Sequence, residues 1–258
     1  MNFGICLLSV VPCRKEPSSL SEMVTQLLFG ETYMILEDKE DWLYVETIYD
    51  NYKCWISSKQ HHSISEKDFN NLNTSIVSSE LVQVISNKEN QIVFPISIGS
   101  TLPNYSNNQM SVGNHVFTFD GSVSNTEIKK NINDLKQTAF LFLNAPYLWG
   151  GKNPFGIDCS GFTQLIFKLN GYKIPRDASQ QVELGIPLSF VEEAQSGDLA
   201  FFDNEEGNIV HVGMVIDNQQ IIHASGNVRI DKFDHYGIFN SDTKKYSHML
   251  RVIKNVIS

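Results

Sequence analysis

The sequence predicts an α+β protein in which one or two small β-barrels precede a larger domain of helices and strands. Short segments rich in aromatic and β-branched residues, separated by polar turns, fill residues 1–58 and recur in weaker form over residues 59–123. Over residues 124–258 the apolar residues first follow helical spacing and then, after Asp198, return to strand-like runs. We therefore expect three parts with these boundaries.

The first two parts consist mainly of predicted strands. In residues 1–58 the best segments are 32–36, 42–47 and 52–56, which indicate a small barrel. Residues 57–79 are rich in Ser, Asn and Gln and predict a linker or a loop-and-helix connection. Alternation resumes in residues 80–121, where Pro and Gly interrupt it, and this favours a second, degenerate barrel.

The third part begins with two predicted helices. Ser124 or Asn125 can cap a helix that extends to residue 145. A second helix follows Asp158 and ends at Asn170-Gly171, a pair typical of a helix C-cap. Strands are predicted after these helices, with Asp217-Asn218-Gln219 as the turn between two of them: 199–202, 210–216, 220–224 and 249–253.

The charge balance restricts the partners. The 258 residues contain 29 acidic and 20 basic side chains, a formal net charge of −9. Such an excess argues against nucleic acid and against anionic lipid surfaces, but it is compatible with a substrate that carries a free amine. No apolar run is long enough for a transmembrane helix. The first residues resemble a leader but lack a basic start, so we expect a buried first strand and a cytoplasmic protein.

The cysteines fit a reducing compartment, because four are too few for a disulfide framework at this length. Cys13, Cys54 and the pair His61-His62 are an alternative metal site, but their spacing matches no standard pattern. We therefore predict no metal and no cofactor. The remaining residues of these types are expected to be ordinary surface or core residues: Cys6, His115, His235 and His248.

The chemistry is concentrated at Cys159. A Gly- and Pro-rich loop, residues 147–158, leads to this cysteine at the start of the second predicted helix. The positive end of a helix lowers the pKa of a thiol, and its free N–H groups bind a developing oxyanion. The alternative is a buried structural thiol beside a helix cap.

Two histidines follow on predicted strands. His211 lies in an apolar strand and His223 in the next one, so adjacent antiparallel strands would bring both imidazoles to one face. A Cys–His pair needs a third polar group to orient the imidazole, and His223 is a candidate. A single strand histidine is usually structural, but two together after a helix-cap cysteine favour catalysis.

Four sequence blocks resemble the NlpC-type peptidoglycan cysteine peptidases. They are YLWGGKNPFGIDCSGFTQLIFKLNGYKIPRDASQQ at 147–181, SGDLAFF at 196–202, HVGMVI at 211–216 and IIHASG at 221–226. Segments near the start resemble the bacterial SH3 domain of γ-D-glutamyl-L-diamino acid endopeptidases, or dipeptidyl-peptidases VI: 14–18, 21–31 and 41–42.

The resemblance implies a papain-like catalytic domain and a reaction. The family cuts the bond between γ-D-glutamate and the diamino acid of murein stem peptides, and this subfamily requires a free N-terminal L-alanine. Cys159 would attack the γ-carbonyl, His211 would take the thiol proton and His223 would hold His211. The Cys159 N–H and the Tyr147 hydroxyl would form the oxyanion hole.

The resemblance also implies a set of substrate-binding residues. An acidic side chain beside the nucleophile, Asp158, is the first choice for the substrate ammonium. The alternative role of Asp158 is a helix N-cap. A core position would equally explain Trp149, and a turn of the barrel would equally explain Glu31. The full set is Asp158, Trp149, Ser160, Asp177, Glu31 and Tyr52. Two other functions stay open: a papain-like amidase or acyltransferase, and a non-catalytic binder of wall peptides.

Overall fold

The computed structural model describes residues 2–217 and 219–257, which form two compact units. The first unit comprises the described part of Met1–Ile128 together with Trp149–Pro154, and the second comprises Lys129–Leu148 and the described part of Phe155–Ser258. Met1 and Ser258, at the ends of the predicted first and third parts, lie outside the described residues. Asn218, in a predicted turn, does so as well. The predicted boundaries after residues 58 and 123 remain predictions.

The first unit begins with an antiparallel sheet of seven strands, in the order β3-β2-β6-β5-β4-β1-β7. The predicted strands at 32–36, 42–47 and 52–56 are all present, with small shifts at their ends. The strands are β1 (Asn2–Ile5), β2 (Val10–Arg14), β3 (Met23–Leu28), β4 (Thr32–Lys39), β5 (Trp42–Thr47), β6 (Lys53–Ser57) and β7 (His62–Ile64).

Alternation explains why this sheet has a core. In β5 Leu43 and Val45 are buried, whereas Trp42 and Tyr44 are half-buried on the other face. The buried residues pack into one apolar cluster that includes three of the four free cysteines: Cys6, Val11, Cys13, Leu27, Tyr33, Leu43, Val45, Cys54 and Ile56. Val11, Leu27 and Ile56 are fully buried there, so the sheet is stabilised by their removal from water.

The rest of the first unit contains one short helix and smaller sheets. A four-stranded antiparallel sheet has the order β10-β9-β12-β11, and β13 pairs with β8. The elements are α1 (Glu66–Asn70), β8 (Ile76–Ser78), β9 (Val82–Asn87), β10 (Val93–Ser97), β11 (Gln109–Val112), β12 (His115–Thr118), β13 (Val123–Asn125) and β14 (Lys152–Asn153).

The second unit consists of helices and an antiparallel barrel. Strands β17 to β22 pair in succession, and β22 pairs with both β17 and β21, which closes six strands into a barrel. The elements are α2 (Ile132–Phe140), β15 (Gly156–Ile157), α3 (Cys159–Leu169), α4 (Ala178–Gln181), β16 (Ile186–Pro187), β17 (Leu199–Asp203), β18 (Ile209–Asp217), β19 (Gln220–Ser225), β20 (Asn227–Phe233), β21 (Gly237–Asn240) and β22 (Lys245–Asn255).

The first predicted helix starts later than expected. The prediction of a cap at Ser124 or Asn125 is wrong, because both residues lie in β13, paired with β8. The helix begins after Asn131, whose side chain accepts a hydrogen bond from the Asp134 N–H at 3.1 Å while Asp134 accepts from the Asn131 N–H at 3.3 Å. This reciprocal capping box satisfies two backbone donors, so Asn131 starts the helix.

The second predicted helix is confirmed with its caps. Asp158 is the N-cap of α3 and accepts a hydrogen bond from the Gly161 N–H at 2.7 Å. Asn170 is the C-cap, and Gly171 follows with a φ of 81°, the left-handed conformation that glycine adopts without strain. All eleven residues of α3 are buried, so the helix is enclosed on every side.

Two barrel strands, β20 and β21, are missing from the sequence prediction. Charged residues at 229, 231 and 232 interrupt the apolar run of β20, and β21 has only four residues. In β20 the buried positions nevertheless alternate in part, with Val228, Asp231 and Phe233 buried. None of the described helices is long and apolar enough to cross a membrane.

Candidate active site

Cys159 is the first residue of α3 and is 7% exposed. The backbone of Val212 in β18 and that of Ser160 hydrogen-bond its thiol. The expectation of a lowered thiol pKa is wrong for this environment. Burial raises the pKa of Cys159 to about 12, and the negative charge of Asp158 adds to the effect. The resting sulfur is therefore a neutral thiol at pH 7.

His211 immediately precedes Val212, so the strand that contacts the thiol also carries this imidazole. Its Nε2 lies 2.8 Å from Nδ1 of His223, and the two rings are nearly perpendicular. The structure thus brings the two predicted histidines together, 5% and 1% exposed. Because Nε2 of His211 is hydrogen-bonded to His223, Nδ1 is the ring nitrogen that remains for another partner.

Gly213 makes room for this pair of histidines. A Cβ at Gly213 would lie 2.7 Å from Cδ1 of Ile221 and 2.9 Å from Cβ of His223. Since real Cβ contacts are longer, any larger residue would displace the strand that holds His223.

Burial also determines the protonation of His211. It lowers the pKa of His211 well below 6.5, and the neighbouring His248 and His223 lower it further. A neutral imidazole can accept a proton, so the resting site pairs a neutral thiol with a neutral base.

The hydrogen bonds continue beyond His223 into β20. Nε2 of His223 lies 3.1 Å from Oδ2 of Asp231, and Nε of Arg229 donates to the same oxygen at 2.7 Å. Arg229 in turn donates to Asp242 at 2.9 Å. Sequence reasoning missed Asp231 because β20 was not predicted. The only available signal was the spacing Arg229-Ile230-Asp231, which places both charges on one face of a strand.

His248 is a second residue that sequence reasoning missed. The expectation that it is an ordinary residue without a partner is wrong, because its ring stacks on that of His211 with centroids 4.0 Å apart and planes 20° apart. Ser247 Oγ lies 2.9 Å from its Nδ1. Burial lowers the pKa of His248 to about 4, and His223 contributes to this shift. His248 therefore covers one face of the base as a neutral ring.

His211, His223 and His248 have ligand atoms within 4.8 Å of one another. They are the one group of three or more potential metal ligands in residues 2–217 and 219–257. Zinc requires ring nitrogens whose lone pairs converge on a point about 2.0–2.1 Å from each. The nearly parallel stack of His211 on His248 directs those lone pairs along separate planes. The three rings form a hydrogen-bonded and stacked cluster, and this arrangement does not fit a metal centre.

An ion pair involves Asp158, the residue next to Cys159. Arg176 is 1% exposed and donates to both carboxylate oxygens of Asp158, at 2.9 and 2.6 Å. It also donates to Oγ of Ser160 at 2.9 Å. Asp158 is thus both the helix N-cap and one member of a bidentate pair, and Arg176 compensates its charge. Sequence reasoning missed Arg176.

Two further predicted residues lie in this unit. Tyr147 is half-buried, and burial raises the pKa of its hydroxyl to about 12, with Cys159 and Asp158 as further causes. The hydroxyl therefore stays protonated and can donate a hydrogen bond. Asp177 is the N-cap residue of α4, and the Gln180 side chain accepts a hydrogen bond from its N–H at 3.4 Å.

The other predicted binding residues belong to the first unit. Glu31 is 6% exposed and pairs with Nζ of Lys152 at 2.8 Å. Trp149 is exposed and donates from Nε1 to Glu22 at 2.7 Å. Tyr52 is half-buried and packs against the barrel core. Their roles in substrate binding stay predictions.

Comparison with known proteins identifies the family of this chain. The profile of the NlpC/P60 family matches residues 144–247, and that of the bacterial dipeptidyl-peptidase SH3 domain matches residues 13–60. A γ-D-glutamyl-L-lysine dipeptidyl-peptidase of Bacillus subtilis (strain 168) is 32% identical over 218 residues, which are 78% of this chain and 71% of the relative. The chain belongs to the NlpC/P60 family.

Other relatives extend the comparison over the whole chain. Dipeptidyl-peptidase 6 of Lysinibacillus sphaericus is 28% identical, over 81% of this chain and 83% of its own. The crystal structure of an NlpC/P60 family protein from Bacillus cereus ATCC 10987 covers 99% of this chain and 100% of its own, with a TM-score of 0.84 and 21% identity. The fold is therefore the NlpC/P60 fold with an N-terminal SH3-like domain, as the sequence predicted.

Membership of this family also establishes the general activity. The NlpC/P60 domain and the dipeptidyl-peptidase relatives make this chain a cysteine peptidase, and its activity is related to peptidoglycan. The alternative of a non-catalytic binding protein is thereby excluded.

Proposed function

We propose that this NlpC/P60 peptidase hydrolyses the bond between γ-D-glutamate and the diamino acid of murein stem peptides that have a free N-terminal L-alanine. The product would be L-Ala-γ-D-Glu, and the reaction would serve the recycling of wall peptides. The observation that carries the proposal is the 32% identity, over most of this chain, to a protein named γ-D-glutamyl-L-lysine dipeptidyl-peptidase. The hydrogen-bonded pair of His211, on the strand that contacts the Cys159 thiol, and His223, on the next strand, supports the chemistry.

The reaction would proceed in two steps. As the sulfur of Cys159 attacks the γ-carbonyl, Nδ1 of His211 takes the thiol proton and then gives it to the leaving amine of the diamino acid. The C–N bond breaks, and a thioester joins Cys159 to the dipeptide. Water then attacks the thioester with His211 as the base, which releases the acid and restores the thiol.

Charge on the carbonyl oxygen would be stabilised at the start of α3. The Cys159 N–H is one of the first backbone donors of the helix, which have no acceptor inside the helix. The protonated Tyr147 hydroxyl would be the second donor, since its raised pKa keeps the proton on it.

Selectivity for a free amine requires an acidic group at the end of the binding site. Asp158 lies next to the nucleophile, but Arg176 already compensates its carboxylate, so we expect it to orient the ammonium with a modest share of the affinity. Ser160 and Asp177 would hold other polar parts of the stem. Glu31, Tyr52 and Trp149 are proposed contributors from the first unit.

Digestion of defined peptides tests this function. The purified protein is incubated with L-Ala-γ-D-Glu-L-Lys, with its meso-diaminopimelate analogue and with the N-acetylated form of each, and the products are identified by mass spectrometry. We expect L-Ala-γ-D-Glu from the free peptides and no cleavage of the acetylated ones. Equal rates on free and acetylated peptides would contradict the requirement for a free amine, and transfer to an added acyl acceptor in place of hydrolysis would indicate an acyltransferase.

We further propose that the enzyme works in the cytoplasm on peptides already released from the wall. The four cysteines are all free in the structure, which suits a reducing compartment. Fractionation of the source cells with an antibody against this chain tests the location. Recovery with cytoplasmic markers supports the proposal, and recovery with the wall or the medium would overturn it.

A further inference from the structure

We propose that Asp231 is a positioning residue that selects the tautomer of His211 through His223. Four side chains form one hydrogen-bonded row in the second unit: His211, His223, Asp231 and Arg229. The row runs from Nε2 of His211 to Nδ1 of His223, a distance of 2.8 Å. It continues from Nε2 of His223 to Oδ2 of Asp231, a distance of 3.1 Å. This inference rests on the proposed role of His211 as the base.

The carboxylate determines the direction of every bond in this row. An ionised carboxylate can only accept, so Nε2 of His223 must carry a proton and donate to Asp231. With its single proton on Nε2, His223 has a lone pair on Nδ1, which accepts from Nε2–H of His211. A neutral His211 with its proton on Nε2 has its lone pair on Nδ1, the nitrogen that remains for the thiol. Asp231, two hydrogen bonds away from His211, thus makes Nδ1 of His211 the basic atom.

The groups around Asp231 keep its carboxylate ionised and hold it in place. Its side chain is 2% exposed, and Arg229 donates to both of its oxygens, from Nε to Oδ2 at 2.7 Å and from Nη2 to Oδ1 at 2.9 Å. Burial alone would raise the pKa of Asp231, but the hydrogen bonds from His223 and Arg229 outweigh it and leave the pKa below 3.8. Arg229 is itself held by Asp242 at 2.9 Å.

The register of the strands places these groups on one face. His223 in β19 pairs with Arg229 in β20, and Asp231 is two residues further along the same strand. A carboxylate with only a structural ion pair would need no contact with His223. Here a single oxygen, Oδ2, receives both the guanidinium and the imidazole.

The test compares Asp231→Asn with the wild type by NMR of protein labelled with ¹⁵N-histidine, with signals assigned by single histidine substitutions. In the wild type we expect His211 and His223 each to carry the proton on Nε2 at pH 7. The asparagine amide can donate to Nε2 of His223, so the variant should shift the His223 proton to Nδ1. The tautomer of His211 should change with it or become mixed.

Kinetics provides the second readout. We expect kcat of Asp231→Asn for the stem peptide to fall about 10- to 100-fold while KM changes less than about twofold, since a wrong tautomer impairs the base and not binding. The rate at which iodoacetamide alkylates Cys159 should fall in parallel. Alkylation needs no substrate, so it tests the row even if the proposed peptide is not the substrate.

Asp242→Asn is the matched control, because it removes the other carboxylate on Arg229 without contact to His223. It should leave both tautomers and kcat unchanged. The proposal is overturned if wild-type His211 carries its proton on Nδ1, a result that needs no variant to fold. It is equally overturned if Asp231→Asn, with a wild-type melting temperature, keeps the wild-type tautomers and kcat.

Discussion

The two sides of the active site hold their side chains by different means. On the helix side, a buried bidentate ion pair between Arg176 and Asp158 supports the start of α3. On the strand side, imidazole rings are ordered by directional hydrogen bonds, with His211 bonded to His223. The difference teaches that the helix side depends on charge compensation, whereas the strand side depends on which nitrogen carries a proton. Substitutions should therefore affect stability on the first side and catalysis on the second.

Removing the base should have the largest effect. In His211→Asn the thiol has no proton acceptor, so we expect kcat/KM for the stem peptide to fall by at least about 10³-fold. The melting temperature should fall less than in Arg176→Met, because the loss of a neutral His211 leaves no uncompensated charge. Steady-state kinetics and calorimetry check both. His235→Asn, an exposed histidine outside the cluster, is the control, and comparable activity of the two variants would refute the role of His211.

Breaking the ion pair should mainly destabilise the protein. Arg176→Met leaves the buried carboxylate of Asp158 without its partner, which costs about 3–5 kcal/mol in the free energy of unfolding. The double variant Asp158→Asn with Arg176→Met removes the uncompensated charge and should recover part of this loss. Urea unfolding of both variants measures it. A single variant as stable as the wild type would show that the pair does not support the helix start.

A larger residue at Gly213 should displace His223 without removing either histidine, and so tests how much catalysis depends on the position of the ring. In Gly213→Ala the new methyl group overlaps Ile221 and His223, so His223 must shift. We expect kcat to fall about tenfold, with a loss of about 1–3 kcal/mol in stability from overpacking. Gly207→Ala is the control for a glycine with open space around it, although its φ of 81° adds strain of its own. An unchanged kcat in Gly213→Ala would mean that the histidine contact tolerates displacement.

The smallest expected effect is on the pH dependence of stability. The pKa of His248 is lowered to about 4 in the folded protein, below its ordinary value near 6.5, so the unfolded chain binds more protons between these values. Stability should fall as pH drops from about 6.5 to 4. In His248→Asn this fall should be shallower than in the wild type, as measured by melting temperature against pH. A parallel slope in both proteins would contradict it.

Local patterns predicted the elements that carry the proposed nucleophile, Cys159, and the proposed base, His211. The Asp158 cap, the cysteine after it and the Asn170-Gly171 end of the helix are all signalled within a few residues, so α3 was predictable. His211 and His223 were predictable as strand residues because β18 and β19 are strongly apolar.

The supporting groups could not be predicted because long-range packing brings them in. Asp231 and His248 come from strands whose charged or polar residues mask the apolar alternation. Closure of the barrel brings His248 onto the ring of His211 and Asp231 to His223. Arg176 lies in an irregular segment, and only the folded chain shows that it reaches Asp158. The raised pKa of Cys159 depends on burial of the side chain, which a helix-end argument from sequence omits.

Trapping the acyl-enzyme tests most directly the claim that Cys159 attacks the γ-carbonyl with His211 as its base. The protein is mixed with L-Ala-γ-D-Glu-L-Lys, quenched in acid within one turnover, digested, and analysed by mass spectrometry. We predict a dipeptide thioester on the peptide that contains Cys159 in the wild type, and none in His211→Asn. Release of L-Ala-γ-D-Glu by a Cys159→Ala variant, or a covalent adduct on any other residue, would contradict the account.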